Sequence, residues 1–349
     1  MDKEQDSQDY HHALEELNIE LQQNPNNIDA YYRRSELHFT LGDYSAGIKD
    51  LDAILQRNPQ DVLAYMFRGY GYGKLAEPLK AIADYSAAIN LCPNYAKAYF
   101  NRGTIYDSLK QHQEAIADFD RAILLNPEYT EAYYNRGIAY NKLNLYRNAI
   151  ADYTQVIRIQ SDDRDAYYNR ANTYNKIGQY TQALADYNRV IELDPQDIEA
   201  YYNRANLFFK TEVYPQAIAD YTYVIERNPR YAPTYYNRAT TYLAAQYYEK
   251  AIADFTIAIG LNPEYAEAYY NRAMTYNKIG EYPKAIADHQ KAIALKPKYA
   301  EAYGNLGLVY LALDKKDEAV RNLRRAATLF KEQKNQALYN YVQNKLAEI

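Results

Sequence analysis

A hexapeptide that returns every 34 residues is the feature that most limits how this chain can fold. AYYNRG occupies residues 132–137, and AYYNRA recurs at 166–171, 200–205 and 268–273. Such a period indicates that one small structural unit is built repeatedly, and that neighbouring copies supply the core that a single copy lacks. Aligned on this motif, the chain contains nine full 34-residue repeats, which begin at Ile28, Val62, Ala96, Thr130, Arg164, Ile198, Ala232, Ala266 and Ala300.

The residue pattern within each repeat predicts two helices. We number the residues of a repeat 1 to 34. Position 4 is Tyr throughout, position 8 is always small, position 11 is mostly Tyr, position 20 is Ala except at Gly47, and position 24 is usually aromatic. Positions 4, 7, 8 and 11 fall on one face of a first helix, and positions 20, 24 and 27 fall on one face of a second. Gly42, Gly178 or Gly280 stands where the first helix should end, and Pro at position 32 stops the second in seven repeats.

The motif Y-x₂-R-[G/A]-x₂-Y…A-x₃-[Y/F]…P resembles the tetratricopeptide repeat over residues 28–333. This resemblance implies an all-α fold, an α-solenoid in which stacked antiparallel helix pairs form a right-handed superhelix. Two departures stand out, because Tyr replaces the usual Trp at position 4 and Arg replaces the usual Leu at position 7.

Both ends of the chain have the character of caps. Ala13, Leu17 and Pro25 match positions 20, 24 and 32, so residues 9–23 are expected to form a lone second helix within an N-terminal half-repeat, 1–27. Beyond the repeats, residues 334–349 are expected to form a C-terminal cap with an amphipathic helix at about 336–348. Since terminal repeats need a solvent-compatible outer face, we expect these caps to close one continuous solenoid.

Composition narrows the functional class. The formal net charge of −5 is mild and disfavours a general nucleic-acid or anionic-membrane binder. The single Cys92 excludes an intramolecular disulfide framework. The polar, acidic N-terminus has no apolar stretch typical of a signal peptide, and no apolar run approaches the roughly 18 residues of a membrane span. We therefore expect a cytoplasmic protein without a membrane segment.

No group of residues predicts catalysis, a cofactor or a metal. The carboxylates recur with the repeat, which is typical of a scaffold, and no Cys/His cluster has the spacing of a zinc site. His38 and His289 replace rings at positions 11 and 24, so both are interpreted as core substitutions. We expect a protein that is not an enzyme.

Two charged positions change together along the chain. Position 7 is Arg in the first eight repeats, position 23 is Asp in the same eight, and the ninth has Leu306 and Asn322 instead. This predicts an Arg–Asp pair that joins the two helices of a repeat, since a guanidinium binds a carboxylate through two parallel hydrogen bonds. The competing interpretation is a row of arginines that binds acidic ligands.

Position 6 lies opposite the predicted core face, yet its residue is conspicuously constant. It is Asn in seven consecutive repeats, whereas position 9 on the same side varies. The resemblance implies that first helices line a concave groove, and that these residues act as the asparagine ladder of peptide-binding members. Two structural alternatives remain, recent duplication and an amide that bonds the neighbouring helix. The seven residues are Asn101, Asn135, Asn169, Asn203, Asn237, Asn271 and Asn305.

Neighbouring positions are predicted to add selectivity at this face. Position 5 is commonly Tyr, position 13 is commonly Lys and position 2 is often acidic. The predicted contributors to peptide binding are Tyr134, Tyr168, Tyr202, Tyr236 and Tyr270 at position 5, and Lys142, Lys176 and Lys210 at position 13.

The leading functional hypothesis is an adaptor that binds an extended peptide or a disordered protein segment. Single-stranded RNA is the alternative ligand of the same groove, because rings beside a lysine track can stack bases and neutralise phosphates. A third hypothesis is self-assembly through the ends of the array. The sequence determines neither the identity of a protein partner nor the oligomeric state.

Overall fold

The computed structural model describes residues 2–349, with side chains from Tyr10 onwards. This range contains twenty α-helices and no strand, so the predicted all-α class is confirmed. The helices are α1 (Asp2–Gln23), α2 (Ile28–Thr40), α3 (Tyr44–Arg57), α4 (Val62–Lys74), α5 (Pro78–Leu91), α6 (Ala96–Ser108), α7 (His112–Leu125), α8 (Thr130–Lys142), α9 (Tyr146–Ile159), α10 (Arg164–Lys176), α11 (Tyr180–Leu193), α12 (Ile198–Lys210), α13 (Tyr214–Arg227), α14 (Ala232–Ala244), α15 (Tyr248–Leu261), α16 (Ala266–Lys278), α17 (Tyr282–Leu295), α18 (Ala300–Ala312), α19 (Lys316–Glu332) and α20 (Gln336–Ala347).

The helix boundaries follow the sequence repeat. The first helix of every repeat begins at position 1, from Ile28 in α2 to Ala300 in α18, and the second begins at position 17. At the ends of the chain, α1 occupies the predicted N-terminal half-repeat and α20 begins at Gln336. The chain is therefore built from consecutive helix pairs, as in an α-solenoid.

The turn between the two helices has the same backbone conformation in all nine repeats. Position 15 is left-handed each time, with φ of 80° at Gly42 and 60° at Asn144. Glycine adopts this conformation without a steric penalty, whereas other residues need the surrounding structure to hold them there. The packing of each pair therefore fixes the turn even where glycine is absent. The non-glycine residues at position 15 are Ala76, Lys110, Asn144, Glu212, Gln246 and Asp314.

The chain divides into two compact halves, Met1–Gln179 and Tyr180–Ile349. The boundary falls inside the fifth repeat, between α10 and α11. In the N-terminal half each helix from α1 to α10 packs against the next, and the same holds from α11 to α20 in the C-terminal half. Each half is thus a stack of helix pairs with its own core.

The core is built from small residues on the first helices and rings on the second. Position 3, which is Ala or Thr, is fully buried in every repeat, as are the small residues at position 8. Tyr153, Tyr221 and Phe255 represent the buried rings at position 24. A Cβ atom added to Gly137 would lie 2.8 Å from Cε1 of Tyr153, so the ring at position 24 needs a small residue at position 8.

The buried face of the first helix differs from the predicted one by one residue position. Tyr at positions 4 and 11 is half-buried in most repeats, whereas positions 3 and 10, which the pattern did not single out, are buried in most or all of them. The reason is that each first helix packs against its own partner and against the neighbouring repeat. A single face on a helical wheel does not describe a helix with two packed sides.

Candidate functional site

The arginine at position 7 joins the two helices of its own repeat. Arg238 Nε lies 2.6 Å from Asp254 Oδ2, and Nη2 lies 2.9 Å from Oδ1. The predicted Arg–Asp pair is thus confirmed, and these guanidinium groups are not ligand-binding groups of an open groove. The pairs with this two-point contact are Arg34–Asp50, Arg68–Asp84, Arg102–Asp118, Arg136–Asp152, Arg204–Asp220, Arg238–Asp254 and Arg272–Asp288.

The third guanidinium nitrogen links each repeat to the one before it. Nη1 of Arg238 donates to Thr222 Oγ1 at 2.9 Å, and Thr222 occupies position 25 of the preceding repeat. Sequence analysis missed this contact, although a signal was present, because position 25 is a short hydrogen-bond acceptor before every position-7 arginine. The acceptors are Asn18, Asp52, Ser86, Asp120, Thr154, Asn188, Thr222 and Thr256.

Two tyrosine rings, at positions 4 and 11, flank the guanidinium in six repeats, and Tyr201 and Phe208 flank that of Arg204. Cζ of Arg238 lies 5.9 Å from the ring centre of Tyr235 and 5.8 Å from that of Tyr242, within cation–π range. In the second repeat, the hydrogen bonds that Arg68 donates to Asp84 raise the pKa of Arg68, while burial raises the pKa of Asp84. We take both as ionised because of the two-point contact, so this cluster is a structural element whose desolvation is costly.

The asparagine at position 6 bonds the preceding repeat. Its Nδ2 donates to the hydroxyl of the tyrosine at position 5 in that repeat. This confirms the structural alternative in which the amide bonds a neighbouring helix. The four bonds are Asn169 to Tyr134 at 2.7 Å, Asn237 to Tyr202 at 2.9 Å, Asn271 to Tyr236 at 2.8 Å and Asn305 to Tyr270 at 2.8 Å.

The bond to tyrosine uses only part of each amide. An asparagine side chain offers two N–H donors and one carbonyl oxygen that accepts. Among the described residues, Asn169, Asn271 and Asn305 make no second side-chain hydrogen bond. Asn237 differs, because its Nδ2 also donates to Asn206 Oδ1 at 3.1 Å. All the position-6 asparagines are half-buried, so an edge of each remains in contact with solvent.

The first asparagines of the row face a different neighbour. Asn135 follows a repeat that has Phe100 at position 5, and phenylalanine has no hydroxyl to accept its N–H. Asn101 follows Met66 in the same way. Neither amide therefore bonds a position-5 hydroxyl, and Asn101 instead makes a side-chain hydrogen bond with Tyr85 at position 24 of the preceding repeat. Asn203 and Tyr168 lie half-buried at the equivalent positions of the array.

The tyrosines at position 5 are half-buried, and their rings pack against other rings. The ring of Tyr236 lies 5.9 Å from Phe255 at position 24 and 4.8 Å from Tyr265 at position 34. Burial raises the pKa of Tyr236, as it does that of Tyr134, Tyr202 and Tyr270. These hydroxyls therefore stay protonated at neutral pH and hold the asparagines in place.

The lysines at position 13 are exposed but already contact the preceding repeat. Nζ of Lys142 lies 2.8 Å from Asp107 Oδ2. Nζ of Lys176 lies 5.5 Å from the ring centre of Tyr146, and that of Lys210 lies 4.7 Å from that of Tyr180. Such exposed contacts are weak, so a ligand can displace them at little cost.

The remaining chemistry of the described residues is sparse. No group of three or more His, Cys, Asp or Glu among them could hold a metal ion, and none of their helices is long and apolar enough to cross a membrane. His289 is fully buried at position 24, as predicted for a core substitution, and neither ring nitrogen has a hydrogen-bond partner. Burial lowers its pKa to about 4, so it is neutral at physiological pH.

Comparison with protein families gives matches along most of the chain. A family described as "TPR repeat" matches residues 80–110 and 171–212. Families described as "Tetratricopeptide repeat" match 96–129 and 130–163, 264–332, 3–62 and 232–265. Comparison with curated proteins finds no match.

Solved structures with related folds include YrrB, described as a TPR protein with an unusual peptide-binding site. YrrB is 25% identical, with a TM-score of 0.50 over 54% of this chain and 97% of its own. A tetratricopeptide repeat protein from Parabacteroides merdae ATCC 43184 is 23% identical, with a TM-score of 0.51 over 71% of this chain and 98% of its own. MamA is 25% identical, with a TM-score of 0.47 over 51% of this chain and 97% of its own.

The family matches and the helix pairs support a protein–protein interaction scaffold, and proteins with this repeat are generally not enzymes. The repeat positions, the helix boundaries and the family matches agree along the chain. The chain belongs to the tetratricopeptide repeat family.

Proposed function

We propose that this protein is a non-enzymatic adaptor whose position-6 asparagines bind the backbone of an extended peptide or a disordered protein segment. The observation that carries the proposal is that only one N–H is bonded within the protein in three of these asparagine amides. Tyr134, Tyr236 and Tyr270 each take one N–H of an asparagine in the next repeat, and leave that amide one donor and one acceptor. A peptide group needs one acceptor and one donor in return.

The energetics favour a ligand that touches several repeats. Each added hydrogen bond contributes about 0.5–1.5 kcal/mol net, so one amide alone gives little affinity. Because the tyrosine bond fixes the amide before the ligand arrives, less side-chain entropy is lost on binding. A row of such amides therefore gives moderate affinity that does not depend on the ligand's side chains, and the ordering of a disordered ligand removes part of it.

The spacing of the repeats also suits an extended chain. Packed helices lie about 8–10 Å apart, and an extended backbone advances about 3.3 Å per residue. One asparagine per repeat would therefore meet the ligand at about every third residue. The peptide-binding site in the description of YrrB supports the same ligand class for this chain.

The test separates the structural duty of the amide from its binding duty. One variant carries Asn237→Ala, Asn271→Ala and Asn305→Ala, and its matched control carries Tyr202→Phe, Tyr236→Phe and Tyr270→Phe. Both variants lose the same three Asn–Tyr bonds, but only the first loses the amides. The ligands are peptides selected by the wild-type protein from a random 16-residue display library, with affinities from fluorescence anisotropy.

We expect the alanine variant to bind these peptides at least tenfold more weakly than the phenylalanine control. Circular dichroism checks that both variants are folded to the same extent. Equal affinities in the two variants would show that the asparagines serve only to join the repeats, and the proposal would be rejected.

A further inference from the structure

The second repeat departs from the array at positions 2, 6 and 9, on the side of the asparagine row. Leu63, Phe67 and Tyr70 occupy positions 2, 6 and 9, where the sixth repeat has Glu, Asn and Asn. All three are large and apolar or aromatic, and their relative exposures are 50%, 46% and 44%. Half-exposed apolar residues that form a contiguous group commonly mark a binding surface.

These side chains line a cavity in the N-terminal half, which we call the apolar groove. Its volume is about 790 Å³, which is in the range of ligand sites. Its lining includes the three residues above, buried Met66 and Ser35, the half-buried Phe39, and Asn101, the first asparagine of the row. The groove therefore begins where the asparagine row ends.

The Phe39 wall of the groove is held by two glycines. A Cβ atom on Gly71 would lie 2.9 Å from Phe39 Cζ, and one on Gly47 would overlap the same ring. Position 20 is Ala in the other eight repeats, so Gly47 is the exception that gives Phe39 its place. The ring of Phe39 also lies 6.0 Å from that of Tyr70 and 5.5 Å from that of Tyr44. This wall is formed before any ligand binds.

Charges of opposite sign lie at the two rims of the groove. Asp29 and Glu36 lie on α2, and Lys97 lies on α6. Neither Glu36 nor Lys97 has an ion-pair partner among the described residues, and Asp29 has only an exposed contact of 3.7 Å with Arg33. The first-repeat rim therefore favours a basic group of a ligand, and the third-repeat rim favours an acidic one.

We propose that the apolar groove holds a bulky apolar side chain of the extended peptide that binds the asparagine row. A basic residue of that peptide lies against Asp29 and Glu36, and an acidic residue lies against Lys97. This inference rests on the proposed function and adds selectivity to it. The step from α2 to α6 crosses two helix spacings, about 18 Å, which an extended chain covers in about six residues.

The groove therefore reads the sequence of the ligand, which the amides do not. Burial of one phenylalanine side chain is expected to strengthen binding by roughly tenfold to a hundredfold over alanine. The rim charges contribute less to affinity, and mainly fix the position of the peptide.

The test uses defined peptides. Two fluorescein-labelled fifteen-residue peptides are made of Ser and Thr apart from a central segment. The segment is RSTFTSE in one peptide and ESTFTSR in the other, because the direction of the bound chain is not fixed. Each peptide has a control in which Ala replaces Phe. The protein variant combines Leu63→Glu, Phe67→Asn and Tyr70→Asn, which are the residue types of the sixth repeat at Glu199, Asn203 and Asn206. These residues fold in a homologous context, and Phe67→Ala alone is a milder second variant.

We expect wild-type protein to bind one of the two Phe peptides at least tenfold more tightly than its Ala partner. The triple variant should bind the two equally, and Phe67→Ala should reduce the preference. No preference in wild-type protein for Phe in either direction, or an undiminished preference in the triple variant, would overturn the proposal.

The same assay distinguishes the groove from the asparagine row. These peptides are long enough to reach Asn101 and Asn135 from the groove. If Asn101→Ala with Asn135→Ala leaves affinity unchanged while the Phe preference persists, the row fails and the groove stands. If these substitutions weaken binding but no Phe preference exists, the groove fails and the row stands. Sedimentation of the wild-type protein and of the Leu63→Glu, Phe67→Asn, Tyr70→Asn variant tests whether a second copy of the chain occupies the groove. A dimer that only the wild type forms would overturn the proposal of a peptide in the groove.

Discussion

Asn271 Nδ2 donates to the hydroxyl of Tyr236 at 2.8 Å, across 35 residues of sequence. Asn271 directly follows Tyr270 in the sequence, but it bonds the tyrosine of the preceding repeat. In the dipeptides Tyr236–Asn237 and Tyr270–Asn271 the tyrosine accepts from the next repeat and the asparagine donates to the previous one. From Tyr202 to Asn305 the dipeptides thereby link four successive repeats, and these bonds orient the amide edges that we propose as ligand sites.

Phe100→Tyr is expected to add a missing link to this chain. Phe100 stands where other repeats have the tyrosine that accepts from asparagine, and Asn135 is its counterpart 35 residues later. The new hydroxyl should raise the free energy of unfolding by about 0.5–1.5 kcal/mol, measured by urea denaturation. The control is Phe100→Tyr in an Asn135→Ala background. A gain of the same size there would show that the added stability does not come from the predicted bond.

The links between repeats were harder to predict than the links within them. Arg238 and Asp254 change in step with their equivalents along the chain, so their pairing was visible without a structure. The contact from Arg238 to Thr222 was missed because position 25 varies among Asn, Asp, Ser and Thr. The partner of Asn271 was missed because the helical wheel compared positions inside one repeat, whereas the bond crosses to another.

Arg238→Leu is expected to cost about 3 kcal/mol of unfolding free energy, because it leaves the buried Asp254 carboxylate without its cation. The ninth repeat shows how the loss can be avoided, since it has Leu306 and Asn322 at these positions. Arg238→Leu with Asp254→Asn should therefore regain most of the stability in urea denaturation. If the double variant is no more stable than Arg238→Leu alone, an uncompensated carboxylate is not the cause of the loss.

Much of the helical framework could be predicted, because a 34-residue period fixes where each helix begins. Ile28 and Ala300 were predicted as repeat starts, and both begin helices. The buried side of the first helix was predicted less well. Ala132 at position 3 is fully buried while Tyr133 is only half-buried, because alanine allows neighbouring helices to approach and the larger ring lies against the guanidinium of Arg136.

His289 is expected to make stability depend on acid pH. Burial lowers its pKa in the folded protein from 6.5 to about 4, so the unfolded chain takes up the proton more readily. The free energy of unfolding should therefore fall as pH decreases below 6.5, and this fall should be complete near pH 4. The difference corresponds to about 3 kcal/mol at most, at about 1.4 kcal/mol per pH unit.

His289→Phe provides the control, because Phe119 and Phe255 occupy the same position in other repeats. Urea denaturation of the wild type and the variant between pH 7.5 and about 4.5 gives the two free energies of unfolding. Their difference isolates the effect of the histidine, because the carboxylates titrate in both proteins. The stability difference between the variant and the wild type should grow as pH falls. A difference that stays constant would mean that His289 is hydrated or protonated in the folded state.

Gly47→Ala is expected to destabilise the protein by about 1–3 kcal/mol through overpacking, although alanine forms helices better than glycine by about 1 kcal/mol. An added Cβ would overlap the ring of Phe39 and lie 3.0 Å from the Ser35 carbonyl oxygen. Gly260→Ala is the matched control, since a Cβ there meets no atom within 4 Å, and it should be stabilising. Thermal unfolding followed by circular dichroism compares the two.

The companion variant Gly47→Ala with Phe39→Ala decides whether Phe39 causes the loss. Phe39→Ala alone is the reference, because it already removes the packing of the ring. With the ring gone, the added methyl group has room, so Gly47→Ala should cost much less in this background than in the wild type. An equal cost in both backgrounds would show that Phe39 moves aside easily, and the wall of the apolar groove would then not be formed before a ligand arrives.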